Sequence, residues 1–457
     1  MKRKILATLL ASVMALSMIG CGAKEEAAAP AADAAVEEAP AAEEAAPAED
    51  AAPAEDTASG SNKLTVWCWD PAFNIYSMEQ AGEVYKQTHP DFELEVIETP
   101  WEDVQTKLTT AATSGDLSTL PDIFLMQDNA FQKNVISFPD AFTDLTNTGI
   151  DFSQFASAKA AYSVVDGKNY GVPFDNGAAI ACYRTDVLEE AGYTVADLTD
   201  ITWSRYIEIG KDVLAKTGKP LLSCTAGESD VIMMMLQSTG SSLFDAEGNP
   251  SMVNNEALAE VMNTYAELVK SGVMIEVNDW DQYIGTMTNS TVAGTINGCW
   301  IMASIQTAAD QSGKWAITNL PKMDNVANAT NYSNNGGSSW AVTANCQNPE
   351  LAADFLGSTF GGSVELYETI ISCGALATYL PAADSAVYGE AVEFYGGDAV
   401  YSKIVEFSGK TPSNNTGVYY YEARDAVAVA ITNIVGGADA ASEIANAENT
   451  VNFAMGK

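Results

Sequence analysis

An α/β fold divided into two lobes is predicted for residues 63–457, and three observations predict it. Short β-rich apolar runs alternate with amphipathic helical stretches from the first run onward, the pattern of layered α/β domains. The segment is 395 residues long, more than a single core usually serves. Eight tryptophans and eighteen tyrosines supply ample apolar surface to bury.

The elements follow in order. LTVWCW is a short strand, followed after a turn by a helical stretch over roughly 78–89 that stops at HPD, and LEVIET is the next strand, giving a β-α-β opening. WEDVQTKLTTAATSG predicts a helix with a glycine stop, and LPDIFLMQD a turn entering a buried strand with a polar end. DGKNYGVPFDNGAAIACYRTD predicts a hairpin and a long apolar strand. Helices are then expected at DVLEEAG, TWSRYIEIGKDVLAKTG and NEALAEVMNTYAELVKSG, with Ser, Thr or Asn-type starts or glycine ends. The stretch from TGVYYYEARDAVAVAITNIVGG onward is helical again.

The first twenty residues are of a different kind. Lys2, Arg3 and Lys4 precede an apolar run from Ile5 to Ile19, and small residues flank Cys21, which is the order of an export signal. Fifteen apolar residues fall short of the roughly 20 that a helix needs to span a bilayer. The segment is similar to a bacterial lipoprotein signal, with Met18, Ile19 and Gly20 in the lipobox positions, although leucine is usual where Met18 stands. That resemblance implies cleavage before Cys21 and acylation of its thiol; an ordinary cleaved signal is the alternative. Acyl chains contribute roughly 0.8 kcal/mol per buried methylene. Residues 22–62, rich in Ala, Glu, Asp and Pro and without an aromatic side chain, cannot build a core and predict a disordered stalk. A coil of that length spans on the order of 35 Å.

The charge is −39 overall and about −32 for residues 63–457. Nucleic acid and anionic lipid are poor partners for such a field, and solubility at a cell surface explains it. Cys68, Cys182, Cys224, Cys299, Cys346 and Cys373 form no CxxC, and several sit in apolar runs, so isolated buried thiols are expected in preference to disulfides. His89 is the single histidine, which leaves a Ser-His-Asp arrangement or a multi-histidine metal site without support. No GxSxG occurs, and SGKT at 408–411 lacks the upstream glycine of a phosphate loop. DAEGNP from Asp245 is expected to be a hairpin turn and not a calcium loop. No cofactor is expected.

Taken together, KLTVWCWD, LPDIFLMQD, YGVPFDNGAAIACYRTDVLEEAG, ITWSRYIEIGKDVLAKTGKP, VAGTINGCW, GGSSWAV and YYYEARDAV occur in one order at a family's spacing. The chain resembles the substrate-binding component of a carbohydrate ABC transporter, in the extracellular solute-binding family 1 that includes maltodextrin-binding proteins. The resemblance covers essentially all of 63–457. It implies a two-lobed periplasmic-binding-protein-like fold with a ligand cleft between the lobes and a hinge of several crossing segments. Lobe 1 would be 63–174 with 341–378, and lobe 2 would be 175–340 with 379–457. Ligand contacts from both lobes would favour the closed state that transmembrane permease subunits recognise. The implied protein is a monomer, tethered through Cys21 to the outer face of the cytoplasmic membrane, that makes and breaks no bond.

A sugar site needs flat aromatic faces for the C–H patches of a pyranose, ringed by amides and carboxylates for its hydroxyls. Trp69 and Asp70 lie where the first strand meets its loop, at the carboxyl end where open α/β sheets bind ligands. Trp67 shares that face and is assigned to the core. Asp128 and Asn129 end the third strand in the same way, Asp128 being either a hydroxyl acceptor or a helix cap. Asp175 follows the hinge proline, and here the sequence departs from the maltodextrin-type pattern: Gly177 stands where that pattern has a glutamate. By resemblance Trp300 is an aromatic platform and Tyr420 replaces a stacking tryptophan, with Arg424 one turn on. Trp340 is either a ligand contact or core. Trp280 and Asp281 are further candidates, whereas Trp203 and Trp101 are assigned to packing.

Two other readings share this composition. A glycoside hydrolase needs two carboxylates across a bond, and 61 acidic residues make a pair uninformative. A receptor of the same fold for peptides or polyamines needs charged partners, and Arg424 is the only basic residue singled out.

Overall fold

The computed structural model describes residues 62–413 and 416–457. The expected lipidation site at Cys21, the signal and the stalk lie outside these residues.

One seven-stranded sheet carries the architecture. Its strands are β1 (Lys63–Cys68), β2 (Glu93–Glu98), β3 (Ile123–Gln127), β6 (Val172–Arg184), β9 (Gly294–Gly298), β10 (Trp315–Thr318) and β11 (Asn334–Val342), separated in sequence by the hairpin β4 (Val164–Val165) and β5 (Lys168–Asn169) and by the parallel pair β7 (Leu222–Thr225) and β8 (Met274–Val277). The order is β10-β6-β11-β3-β1-β2, with β9 also on β6. β1 runs parallel to β2 and β3, and β11 runs antiparallel to both β3 and β6. The thirteen residues of β6 serve two neighbourhoods: its first half pairs with β11 and its second half with β9 and β10. β6 and β11 therefore run from one half of the molecule into the other.

Sixteen α-helices accompany the strands among the described residues: α1 (Tyr76–Lys86), α2 (Trp101–Ser114), α3 (Asp128–Ser137), α4 (Ser157–Ala160), α5 (Thr185–Ala191), α6 (Trp203–Thr217), α7 (Asp230–Ser238), α8 (Glu256–Lys270), α9 (Trp280–Thr288), α10 (Ile301–Gln306), α11 (Pro349–Ser358), α12 (Val364–Ile370), α13 (Leu380–Ala383), α14 (Val400–Lys410), α15 (Tyr420–Val435) and α16 (Ala440–Ala454). Their ends follow local chemistry. Thr202 and Asn255 cap α6 and α8 by accepting backbone N–H bonds, and Gly115, Gly192 and Gly218 end α2, α5 and α6 in the left-handed conformation. The first helix starts earlier than the periodicity predicts, because Pro71–Ile75 forms a π-helical turn running into α1.

Each half of the sheet is covered on both faces. Around β1, β3 and β11, one apolar cluster gathers Leu64, Val66, Leu125 and Trp340 under α1, α11 and α12, and another gathers Trp67, Phe124 and Met126 under α2 and α3. Around the second half of β6, Ala179, Ala181 and Tyr183 face α5–α8, α15 and α16, while Ile180 and Cys182 face α9, α10 and α14. All six cysteines of the described residues are buried and unpaired, as small apolar side chains. DAEGNP is a turn, with Asp245 accepting from the Glu247 and Asn249 N–H groups and Phe244 bridging Pro250.

Candidate functional site

Where β6 and β11 cross, the backbone is packed so tightly that side chains are excluded. A Cβ on Gly177 would stand 2.2 Å from the Asn335 carbonyl oxygen, and one on Gly298 would stand 2.4 Å from the same atom. Gly336 and Gly337 continue the crossing with φ of 94° and 104°, values open to glycine. This explains Gly177: no glutamate fits there.

Trp300 is seated in that seam. Its Nε1–H donates to the Asn335 carbonyl at 2.9 Å, and Gly298 and Gly336 lie against the indole edge. With its polar atom spent on the backbone, the half-buried ring can offer only a face. Trp280 at the start of α9 stands 5.7 Å away, centre to centre, and is 41% exposed, so the two indoles form one aromatic wall.

A second aromatic row faces α15. Trp69 lies 5.5 Å from Trp101, and Trp101 lies 6.1 Å from Tyr421. The Tyr421 hydroxyl bonds the Gln127 carboxamide oxygen, and Lys133 on α3 pairs with Glu422. α15 belongs to the second half and α3 to the first, so these contacts join the halves beside the row. Asn129, next along α3, buries a carboxamide oxygen with no hydrogen-bond partner among the described residues.

A polar network ties the wall to α15. Arg424 pairs with Asp230 on α7, whose other oxygen accepts from Asn335 Nδ2 at 3.1 Å. Asn335 also donates to Asn297 Oδ1 at 2.7 Å, and Asn297 donates to the Tyr283 hydroxyl at 3.0 Å. Arg424 is thus committed to a carboxylate of its own chain.

The carboxylates expected at the strand ends are tied up internally. Asp128 is 5% exposed; it pairs with Lys159 of α4 and accepts the Ser339 hydroxyl at 3.0 Å. Lys159 also donates to the Ser338 carbonyl at 2.8 Å, and buried Asp175 accepts the Ser338 N–H at 2.8 Å. Burial pushes the Asp175 carboxyl up to about 6; nearby Asp128 adds to the rise and Lys159 opposes it. Burial also raises Asp128 from the usual carboxylate range, opposed by Lys159. Two carboxylates and one lysine thus bind α3, α4, β6 and β11 together where the strands cross.

Several sequence expectations are corrected. Trp340 is fully buried between Phe174 and Phe360, with centroids at 5.4 and 5.5 Å, and is core. Asp70 caps the turn at Pro71 through Oδ1, which accepts from Ala72 and Phe73, while its Oδ2 takes no hydrogen bond among the described residues. Asp128 is neither a free acceptor nor a side-chain cap, since it opens α3 inside an ion pair. Tyr420 is buried in the second half's core, and Tyr421 carries the face beside Trp101. Trp203 and Trp67 are buried as assigned, and Trp101 is buried yet forms part of the row. Asp230, Asn335 and Lys159 escaped the sequence reading because their partners lie 194, 38 and 31 residues away, respectively Arg424, Asn297 and Asp128. Tyr421 was discoverable from the YYYEAR run, but not its choice over Tyr420.

The sheet shared by two strands, β6 and β11, that run from one half into the other, with an aromatic row and an aromatic wall beside them, defines a two-lobed architecture. The family model for bacterial extracellular solute-binding proteins matches residues 80–394. A lactose-binding protein of Rhizobium radiobacter is 37% identical over 381 residues, which cover 83% of this chain and 90% of that protein. An arabinooligosaccharide-binding protein of Halalkalibacterium halodurans is 25% identical, covering 65% of this chain and 67% of that protein. Among solved structures, the transporter-associated binding protein of B. animalis subsp. lactis Bl-04, in complex with β-1,6-galactobiose, superposes with a TM-score of 0.75 at 18% identity, covering 86% of this chain and 97% of that one. The lacto-N-biose complex from Bifidobacterium longum gives 0.70 at 19%, covering 87% and 98%. The chain belongs to the bacterial extracellular solute-binding protein family, and its fold is that of the two-lobed periplasmic binding proteins.

Proposed function

We propose that the protein captures a sugar, an oligosaccharide of at least two rings, in the cleft between its lobes and delivers it to the permease subunits of an ABC transporter. The observation that carries this reading is the pair of aromatic surfaces, Trp280–Trp300 and Trp69–Trp101–Tyr421, set among amides and carboxylates. Flat faces for C–H patches with polar groups beside them suit a neutral polyhydroxylated ligand. The sugar-binding relatives at 37% and 25% identity support the same chemistry.

Within this reading Trp69, Trp300 and Tyr421 stack on the ligand, Asn129 accepts from it, and Arg424 acts through Asp230. The lobes divide near 174/175 and, since β11 pairs with β3 over Ser338–Val342, a few residues before 340/341; residues 379–457 return to lobe 2. The protein works as a monomer, performs no hydrolysis, and is held at the outer face of the cytoplasmic membrane by an acylated Cys21. Calorimetry of residues 62–457 with lactose, β-1,6-galactobiose and arabino-oligosaccharides tests the reading. Binding of one of them, weakened at least tenfold by Trp300→Ala, is the expected result. Binding only of a peptide or polyamine, or release of monosaccharide from these substrates, overturns it.

A further inference from the structure

Beside the Trp280–Trp300 wall is a pocket to which, besides Trp280, the residues Glu228, Thr225 and Ser223 contribute, none of them among the candidates above. It is lined by Ser223, Thr225, Glu228, Asp230, Trp280 and Asn297 among others; its cavity volume is about 20 Å³, room for about one water, and it opens to solvent at its mouth. Most of its polar lining is already bonded. Ser223 bonds Thr286 at 2.6 Å, Asn297 bonds Tyr283 and Asn335, and Asp230 pairs with Arg424. Three groups at the mouth differ: the Glu228 carboxylate, the Thr225 hydroxyl and the Trp280 indole N–H make no hydrogen bond among the described residues. A hydrogen-bonded floor beneath an exposed indole face and unengaged polar groups at the mouth suits a hydroxylated ring lying across it.

We infer that the mouth of this pocket is a subsite over which one terminal ring of the ligand lies, with Trp280 against the ring face and ionised Glu228 accepting hydrogen bonds from its hydroxyls as the residue that sets selectivity. The inference rests on the sugar reading above. Charged groups face Glu228 from each neighbouring element: Asp230 on α7, Arg424 on α15 and Glu102 on α2. Loss of water around the carboxyl, with Asp230 and Glu102 against Arg424, pushes Glu228 up to about 7. A ligand that donates hydrogen bonds favours the ionised form, so affinity falls as pH drops through 7. A neutral-sugar site would otherwise show little pH dependence there.

Calorimetry with lactose across pH 5.5–8.5 tests this on wild type, Glu228→Gln and Trp280→Ala. Expected are a tenfold or greater loss of wild-type affinity from pH 8.5 to 5.5, a flat profile for E228Q that is at least tenfold weaker at pH 8.5, and a similar loss for W280A. The Glu228 side chain makes no hydrogen bond among the described residues, so E228Q folds as wild type, with a ligand-free melting temperature at least that of wild type at pH 8.5. Wild-type affinity that is flat or rises on acidification, or E228Q binding as wild type, overturns the subsite while leaving the sugar reading intact. If wild type binds lactose at no pH, galactobiose and arabino-oligosaccharides are run through the same series; binding of none of them overturns both.

Discussion

At the residue scale the crossing of β6 and β11 is governed by absent side chains. Gly177 has ordinary negative-φ backbone, so space alone excludes larger residues, and the obstructing atoms are backbone that cannot swing aside. Gly177→Ala is expected to cost about 1–3 kcal/mol in urea denaturation and to loosen the Trp300 bond to Asn335, weakening ligand binding as well. Unchanged stability would refute the packing argument. Residue by residue, what the sequence could disclose depended on distance along the chain. Trp300, directly after an apolar strand, was legible. Trp340 was not, because β11 is covered on both faces and alternation carries no sign of which face meets a cleft. Asp128 was a reasonable strand-end acceptor until Lys159, in a short helix with no motif of its own, took it.

At the scale of elements, the ion cluster joining α3, α4, β6 and β11 makes a pH prediction. Asp175 is held at about 6 in the folded chain, above an unfolded value of roughly 3.9. Between those values the folded state holds a proton that the unfolded state has released, so this group favours folding as pH falls from 6 toward 4 and opposes it above 6. Asp175→Asn keeps an oxygen for the Ser338 N–H and removes the charge. Its stability relative to wild type should therefore improve by about 2 kcal/mol between pH 4.5 and pH 8, on the scale of 1.4 kcal/mol per pKa unit. Urea titrations at both pH values check the sign, and an equal offset at both would be inconsistent with it. The strands and capped helices that carry this cluster were legible from local pattern. The π-helical turn at Pro71 was not, since Asp70 was read only as a ligand group and its capping of the turn has no periodic signal in sequence.

For the whole molecule, the two-lobed α/β plan was visible in length, alternation and motif order, because each is a local or additive property of sequence. Which aromatic faces meet was not, because it depends on how α15 returns against α3. The six thiols give a test of the packed whole. In residues 62–457 a disulfide-exchange reagent should titrate none in native buffer and six in denaturant, and a reductant should leave the melting temperature unchanged. A lower denatured count would reveal a disulfide.

The burial of every one of those thiols has an engineering consequence. With no native sulfur exposed among the described residues, a cysteine introduced at the cleft rim would be a unique attachment point for an environment-sensitive dye. Lobe closure would then become an optical signal, and the folded part a reagentless sensor for its own ligand.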